Sequence, residues 1–222
     1  MLSGMSYFSL IRLVSRSVNS TKESRGSLGE KAVSSIFTTA FFGKGERYIV
    51  NNVILETPDK TTHQIDHVVI YKTGIFCIET KNLRGTVIGT RESQNWKVYN
   101  YGLSYSIMNP IIQNKGHVRV LSEFLGKQYD IHSVIVLVRG NKPEDVGEEV
   151  LNLQELRDYV KNYPCEEELS SEEMKAIYDS LVDYKDAGVV SEIDHMKYVK
   201  SIKEGENEPI SEMMAYKPDE DF

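Results

Sequence analysis

The stretch QIDHVVIYKTGIFCIETKN, residues 64–82, decides how this chain is read. It separates into two apolar runs, IDHVVIY and GIFCIET, joined by a short turn around Thr73 and Gly74, the pattern of a β-hairpin. Asp66 stands near one end of the stretch, and Glu79 and Lys81 near the other. A buried charge is costly unless it is paired or holds a metal. Three such groups on so apolar a sheet predict a site.

Side chains alternate along a strand, so Glu79 and Lys81 share a face. With Lys72 and Thr73 as the turn residues, Asp66 lies directly opposite Glu79; with Thr73 and Gly74, it lies opposite Lys81 and diagonal to Glu79. Either register keeps the three within roughly 4.5–8 Å of one another at Cβ. Two carboxylates at that separation repel, and a hard divalent cation such as Mg²⁺ or Mn²⁺ relieves the repulsion. Such an ion can bind a phosphate oxygen and acidify a bound water, while Lys81 positions that water or stabilises charge on phosphorus. A salt bridge where the strands leave the core produces the same spacing, so the surrounding sequence has to decide.

Charge is distributed unevenly. Residues 1–80 hold nine Lys/Arg against seven Asp/Glu, residues 81–142 nine against three, and residues 143–222 eight against 23. The net charge of −7 therefore comes entirely from the C-terminal third, whose acidity suits a protein partner or a fold-back over the basic face. The segment after the hairpin is basic, as a phosphate-binding surface is; two solvated faces of opposite sign account for the same counts. The two cysteines form no disulfide framework and Cys77 reads as a core residue, so a cytoplasmic setting is expected. In residues 1–18, Met1, Met5, Phe8, Ile11, Val14 and Val18 recur at helical spacing. Ser9, Arg12 and Ser15 interrupt this run, which is shorter than the about 20 apolar residues that span a bilayer. Peripheral membrane contact through residues 1–18 remains the lesser alternative.

Along the chain, SLGEKAVSSIFTTAFF predicts a helix with Leu28, Ala32 or Val33, Ile36, Ala40 and Phe41 on one stripe. RYIVNNVILET and the two hairpin runs predict three strands, and GTVIGTR and WKVYNYG two shorter ones. Asn109-Pro110 opens a helix over about 109–126 with Ile111, Ile112, Val118, Leu121, Phe124 and Leu125 on its apolar face. IHSVIVLV reads as a strand covered on both faces. A short strand near Val150 and Leu151 follows, then a helix over LQELRDYVKNY capped by Asn152, and another closed by a Ser170–Glu173 capping box. The fold class is α/β, with a mixed central sheet.

SLGE at 27–30, QID at 64–66, GIFCIETKNLRG at 74–85, Trp96 and NPIIQ at 109–113 occur in this order. Together they closely resemble the NERD (nuclease-related) domain, a branch of the PD-(D/E)XK nuclease superfamily, over roughly residues 27–140. The resemblance implies a restriction-endonuclease-like mixed central sheet flanked by helices. It implies that Asp66 and Glu79 are acidic metal ligands, joined by the backbone carbonyl of Thr80. Lys81 resembles the catalytic lysine, Glu30 the helix carboxylate that approaches directly or through water, and Gln113 the glutamine lining the site. Ile65 stands where the superfamily's name has proline. Glu30 also suits a capping box with Ser27, and Gln113 a solvated helix surface.

Arg84, Arg91, Lys97 and Lys115, from the basic segment, are assigned to nucleic-acid contact. Tyr99, Tyr101 and Tyr105, interleaved with Arg91, Lys97 and Asn100, suit either a single-strand grip or an amphipathic strand. Trp96 reads as core, and the five histidines show no metal-ligand spacing. The expected function is an Mg²⁺- or Mn²⁺-dependent nuclease acting on DNA; the alternative is a catalytically inactive nucleic-acid-binding or protein-interaction module on the same fold. The chain divides into an N-terminal segment (1–26), the nuclease-like core (27–140), an acidic, mainly helical extension (141–202) and an acidic tail (203–222).

Overall fold

The hairpin is the middle of an antiparallel meander. Arg47–Glu56 (β1), Thr62–Tyr71 (β2) and Gly74–Asn82 (β3) pair in sequence, rich in the β-branched residues that suit a pleated, buried surface. Tyr71 pairs with Gly74, so Lys72 and Thr73 form the turn. This selects the first of the two registers above. Gly74 is required there: its φ is 140°, and a Cβ would fall 2.6 Å from His132 Nε2. The turn is fastened from outside, since Thr73 Oγ1 donates to Val160 O at 2.6 Å and Leu169 N to Lys72 O at 2.8 Å.

The computed structural model describes residues 22–204. Thr86–Ile88 (β4), Asn95–Asn100 (β5) and Leu103–Met108 (β6) follow β3. The helix Pro110–Phe124 (α2) then leads to Ile131–Arg139 (β7) and Val150–Asn152 (β8). The main sheet has five strands in the order β1-β2-β3-β7-β8, with β7 and β8 added in parallel, and β4-β5-β6 form a separate three-stranded sheet. Helices cover both faces of the main sheet. On one, α1 (Lys22–Thr38) and α3 (Leu156–Lys161) bury Val33, Ile36, Leu156 and Val160 against Val69, Phe76, Ile78 and Val136. On the other, α2 and α4 (Ser171–Asp186) bury Leu121, Met174, Ile177 and Leu181 against Val53, Ile65, Val68, Ile70 and Ile75. This is the mixed sheet between helical layers expected of a restriction-endonuclease-like core, and α5 (Glu192–Glu204) completes the C-terminal helices. Among the described residues, no helix is long and apolar enough to cross a membrane.

Several local expectations change. Helix α1 is already formed at Lys22, so Ser27 and Glu30 lie inside it and form no capping box at its start. Strand β6 is an addition to the expected strands: Leu103, Tyr105 and Ile107 alternate with serines at strand period, but the run is short and mostly exposed. Asn152 does not cap α3; instead Glu155 accepts a hydrogen bond from the Asn152 N–H at 2.6 Å, forming a turn that delays the helix to Leu156. The Ser170–Glu173 capping box is present on α4. The segment 1–18 and the end of the acidic tail lie outside the described residues.

Candidate active site

The hairpin strands part where the charges begin. Pairing of β2 with β3 runs from Tyr71↔Gly74 to His67↔Ile78 and goes no further. Beyond it, the Thr80 N–H donates to Asp66 Oδ2 at 2.8 Å, a carboxylate standing in for a backbone acceptor. On the other side of β2, Asn51 pairs with His67 and Val53 with Ile65, leaving Asn52 opposite Asp66 with a left-handed φ of 52°. Face alternation slips at this point: Val50 and Val53 bury in one cluster, as do Ile65 and Val68. Asp66 therefore sits at a break in the strand, half-buried, where its side chain can enter the gap beside β3.

On β3 the alternation holds. Cys77, Glu79 and Lys81 contact α2, whereas a Cβ on Gly29 of α1 would meet Thr80 and Asn82. Helix α2 is held in register by Asn114, fully buried, whose amide donates to Cys77 O at 2.9 Å, to Ser133 Oγ at 2.9 Å and to Val134 O at 3.3 Å. That register sets Gln113 over Lys81 and, one turn on, His117 over Glu79. Lys81 Nζ donates to Glu79 Oε1 at 2.5 Å and to Gln113 Oε1 at 2.9 Å. Glu79 is only 3% exposed. Its second oxygen lies 3.4 Å from His117 Nε2, within ion-pair distance but outside hydrogen-bond geometry, and is buried without a hydrogen bond.

The two carboxyls are driven apart electrostatically. Burial, then the Glu79 charge, push the Asp66 carboxyl well above the usual range, with Glu30 adding to the effect and Thr80 and Lys81 opposing it. Burial works in the same direction on Glu79, but His117 and Lys81 outweigh it and hold that carboxyl below its usual value. Proximity of two acids forces such a split. The two carboxyls are thus shifted in opposite directions, Asp66 upward and Glu79 downward.

Of the residues singled out in the sequence, Asp66, Glu79, Thr80, Lys81 and Gln113 converge. Glu30 approaches closely enough for its charge to act on Asp66, but among the described residues it makes no hydrogen bond in the site. Arg84 lies just past β3, in a groove with Arg139. Arg91 is engaged in a 2.6 Å ion pair with Glu149, so it is not an open cation. Lys97 and Lys115 are exposed on β5 and α2. Trp96 is fully buried and donates to Thr90 O at 3.0 Å, as a core residue. Among the described residues, no group of three or more His, Cys, Asp and Glu side chains is placed to hold a metal ion. The donors that suit a hard cation are Asp66 and Glu79, and the buried Glu79 oxygen that makes no hydrogen bond is the observation that fits one.

Residues 25–138, just over half of the chain, match the nuclease-related domain (NERD) family. The chain belongs to that family. An uncharacterized protein of Bacillus anthracis is 27% identical over 181 residues, covering 79% of this chain and 84% of the other. No solved structure gives a significant match. Every converging residue lies within the span matched to the NERD family, from Asp66 on β2 to Gln113 on α2.

Two participants were missed in the sequence. Histidine spacing does not mark His117, and no motif marks Asn114. Their signal was positional: Gln113 and His117 are i and i+4 on one helix, and Asn114 interrupts the stripe otherwise formed by buried Ile111 and Leu121.

Proposed function

We propose that the chain is a divalent-metal-dependent nuclease hydrolysing phosphodiester bonds, with DNA as its substrate. The observation that carries this reading is the buried Glu79, one oxygen held by Lys81 and the other 3.4 Å from His117 Nε2 but without a hydrogen bond, beside the carboxyl of Asp66. Asp66 and Glu79, with the Thr80 carbonyl and Glu30 through water, would hold Mg²⁺ or Mn²⁺, which when bound supplies Lewis-acid polarisation of the phosphate and a more acidic water. An ammonium has three donors; two of those on Lys81 are occupied by Glu79 and Gln113. The third remains for a phosphoryl oxygen or the attacking water. Gln113 thus aims Lys81, and Asn114 aims Gln113.

Digestion of plasmid and oligonucleotide DNA with Mg²⁺ or Mn²⁺ tests the proposal. Wild type is expected to cleave, and Asp66→Ala and Lys81→Ala to lose about 1000-fold or more, the scale of removing a preorganised electrostatic group. Equal activity in all three would mean a contaminant or another site. The second reading, a non-enzymatic binding module, draws on the Lys81–Glu79 pair, which already neutralises the carboxylate without a metal. Calorimetric titration with Mn²⁺ separates them: a nuclease binds the ion and loses it in Glu79→Ala, and a module binds nucleic acid without it.

A further inference from the structure

The C-terminal ends of β3 and β7 open into a groove of about 490 Å³, its walls including Arg84, Tyr99, Tyr101 and Arg139. Its floor is backbone. Gly85 has φ 104° and a Cβ there would fall 2.0 Å from Tyr99 O; a Cβ on Gly140, at φ 86°, would come 3.2 Å from Gly85 O. Backbone packed this closely leaves no room for side chains that would fill the space.

Two cations converge on it. The Arg139 guanidinium is held below its ordinary pKa by burial and then by the charge of Arg84, so the two groups are near enough to repel. Among the described residues lining the groove none is acidic, and among the described residues no carboxylate pairs with Arg84. An anion with several oxygens suits a groove lined by two guanidiniums, whose forks match phosphate. The opposite wall is aromatic. Tyr101 is 98% exposed, at the β5–β6 turn with φ 47°, a left-handed position usually given to Asn or Gly. A tyrosine there gains nothing from the fold.

The groove adjoins the carboxylates. Arg139 is two residues beyond Leu137, the β7 partner of Lys81. Across a register shift at this point Arg139 itself pairs with Asn82, the residue next to Lys81. We propose that this groove binds a single strand of nucleic acid next to Glu79 and Lys81, with Arg84 and Arg139 on a backbone phosphate and Tyr99 and Tyr101 stacked on unpaired bases. A single strand is specified because only unpaired bases offer their faces to aromatic side chains. The placement beside a reacting phosphate rests on the nuclease reading, while the binding does not.

Fluorescence anisotropy with the full chain in EDTA tests it, using labelled oligothymidylate and oligouridylate of about 12 nucleotides, near the site size of single-strand modules. Arg84→Ala and Tyr101→Ala are each expected to weaken binding about tenfold, and Arg84→Ala to lower the salt slope by about one. A duplex of equal length is expected to bind more weakly and to ignore Tyr101→Ala. The proposal is overturned if neither oligonucleotide binds, if both variants bind within twofold of wild type at unchanged Tm, or if duplex binds more tightly with the same dependence on Tyr101. The two readings fail separately. Loss of binding in these variants from a wild type that never cleaves supports the groove and removes the nuclease; Lys81-dependent cleavage with wild-type binding in both variants does the reverse.

Discussion

The two sheets place polar and apolar groups in opposite ways. The five-stranded sheet buries ionisable groups: Glu79 is 3% exposed and His67 1%, inside a mostly apolar core. The three-stranded sheet exposes apolar ones, with Leu103 at 75%, Ile88 at 55% and Tyr101 at 98%. Each arrangement opposes the ordinary partition of side chains between water and core. Buried charge raises the strength of every electrostatic contact, as chemistry at a phosphate requires, whereas exposed rings offer contact area to a partner. The difference teaches that each sheet departs from a minimum-energy surface or core according to its proposed use.

Substitutions can break this comparison. The largest effect expected is catalytic: Glu79→Gln, nearly isosteric, lowers metal-dependent cleavage by about 1000-fold or more while circular dichroism stays unchanged. Cleavage at the wild-type rate would remove Glu79 from the chemistry. Next is the ion pair itself. Lys81→Met leaves a buried, uncompensated carboxylate and should cost about 3 kcal/mol in urea unfolding at pH 7, with most of it restored in Glu79→Gln/Lys81→Met. Additive losses would mean that the pair is not coupled.

A third change is made with pH. Burial, followed by the charges of His117, Arg119 and His195, lowers the His63 pKa to about 4, against a weaker opposing pull from Asp59. The unfolded chain takes up this proton near pH 6.5, so stability is full above that value and falls as pH is lowered toward 4, by on the order of 2–3 kcal/mol. His63→Phe should flatten the slope in that window, and an unchanged slope would assign the acid sensitivity to another group. The smallest effects belong to the other sheet. Tyr101→Ala and Arg84→Ala are expected to change stability by less than about 0.5 kcal/mol, since both lie at a surface. A loss of 2 kcal/mol or more in thermal melts would make them parts of the fold rather than of a binding face.

Much of the main sheet was legible because its signals are local. Apolar runs marked β1, β2, β3 and β7, Asn109-Pro110 marked the start of α2, and the ExK spacing placed Glu79 and Lys81 on one face. Strand β6 gives a weaker signal, because Leu103, Tyr105 and Ile107 alternate with serines over only six residues and the strand buries almost none of them. The Ser27–Glu30 box failed since a capping pattern describes a helix start, and the chain was already helical from Lys22.

Sequence alone determined which segments become strands, which two charges share the end of β3, and which family the motifs resemble, because neighbouring residues constrain one another through backbone geometry. Tertiary structure decided the rest. It turned Asp66 onto the Thr80 N–H through a kink opposite Asn52, set His117 against Glu79, tied Arg91 to Glu149, and brought Arg84 beside Arg139. Each of these joins different elements or loops of the chain, and no local period encodes such distances. They exist only once the helices and both sheets have packed.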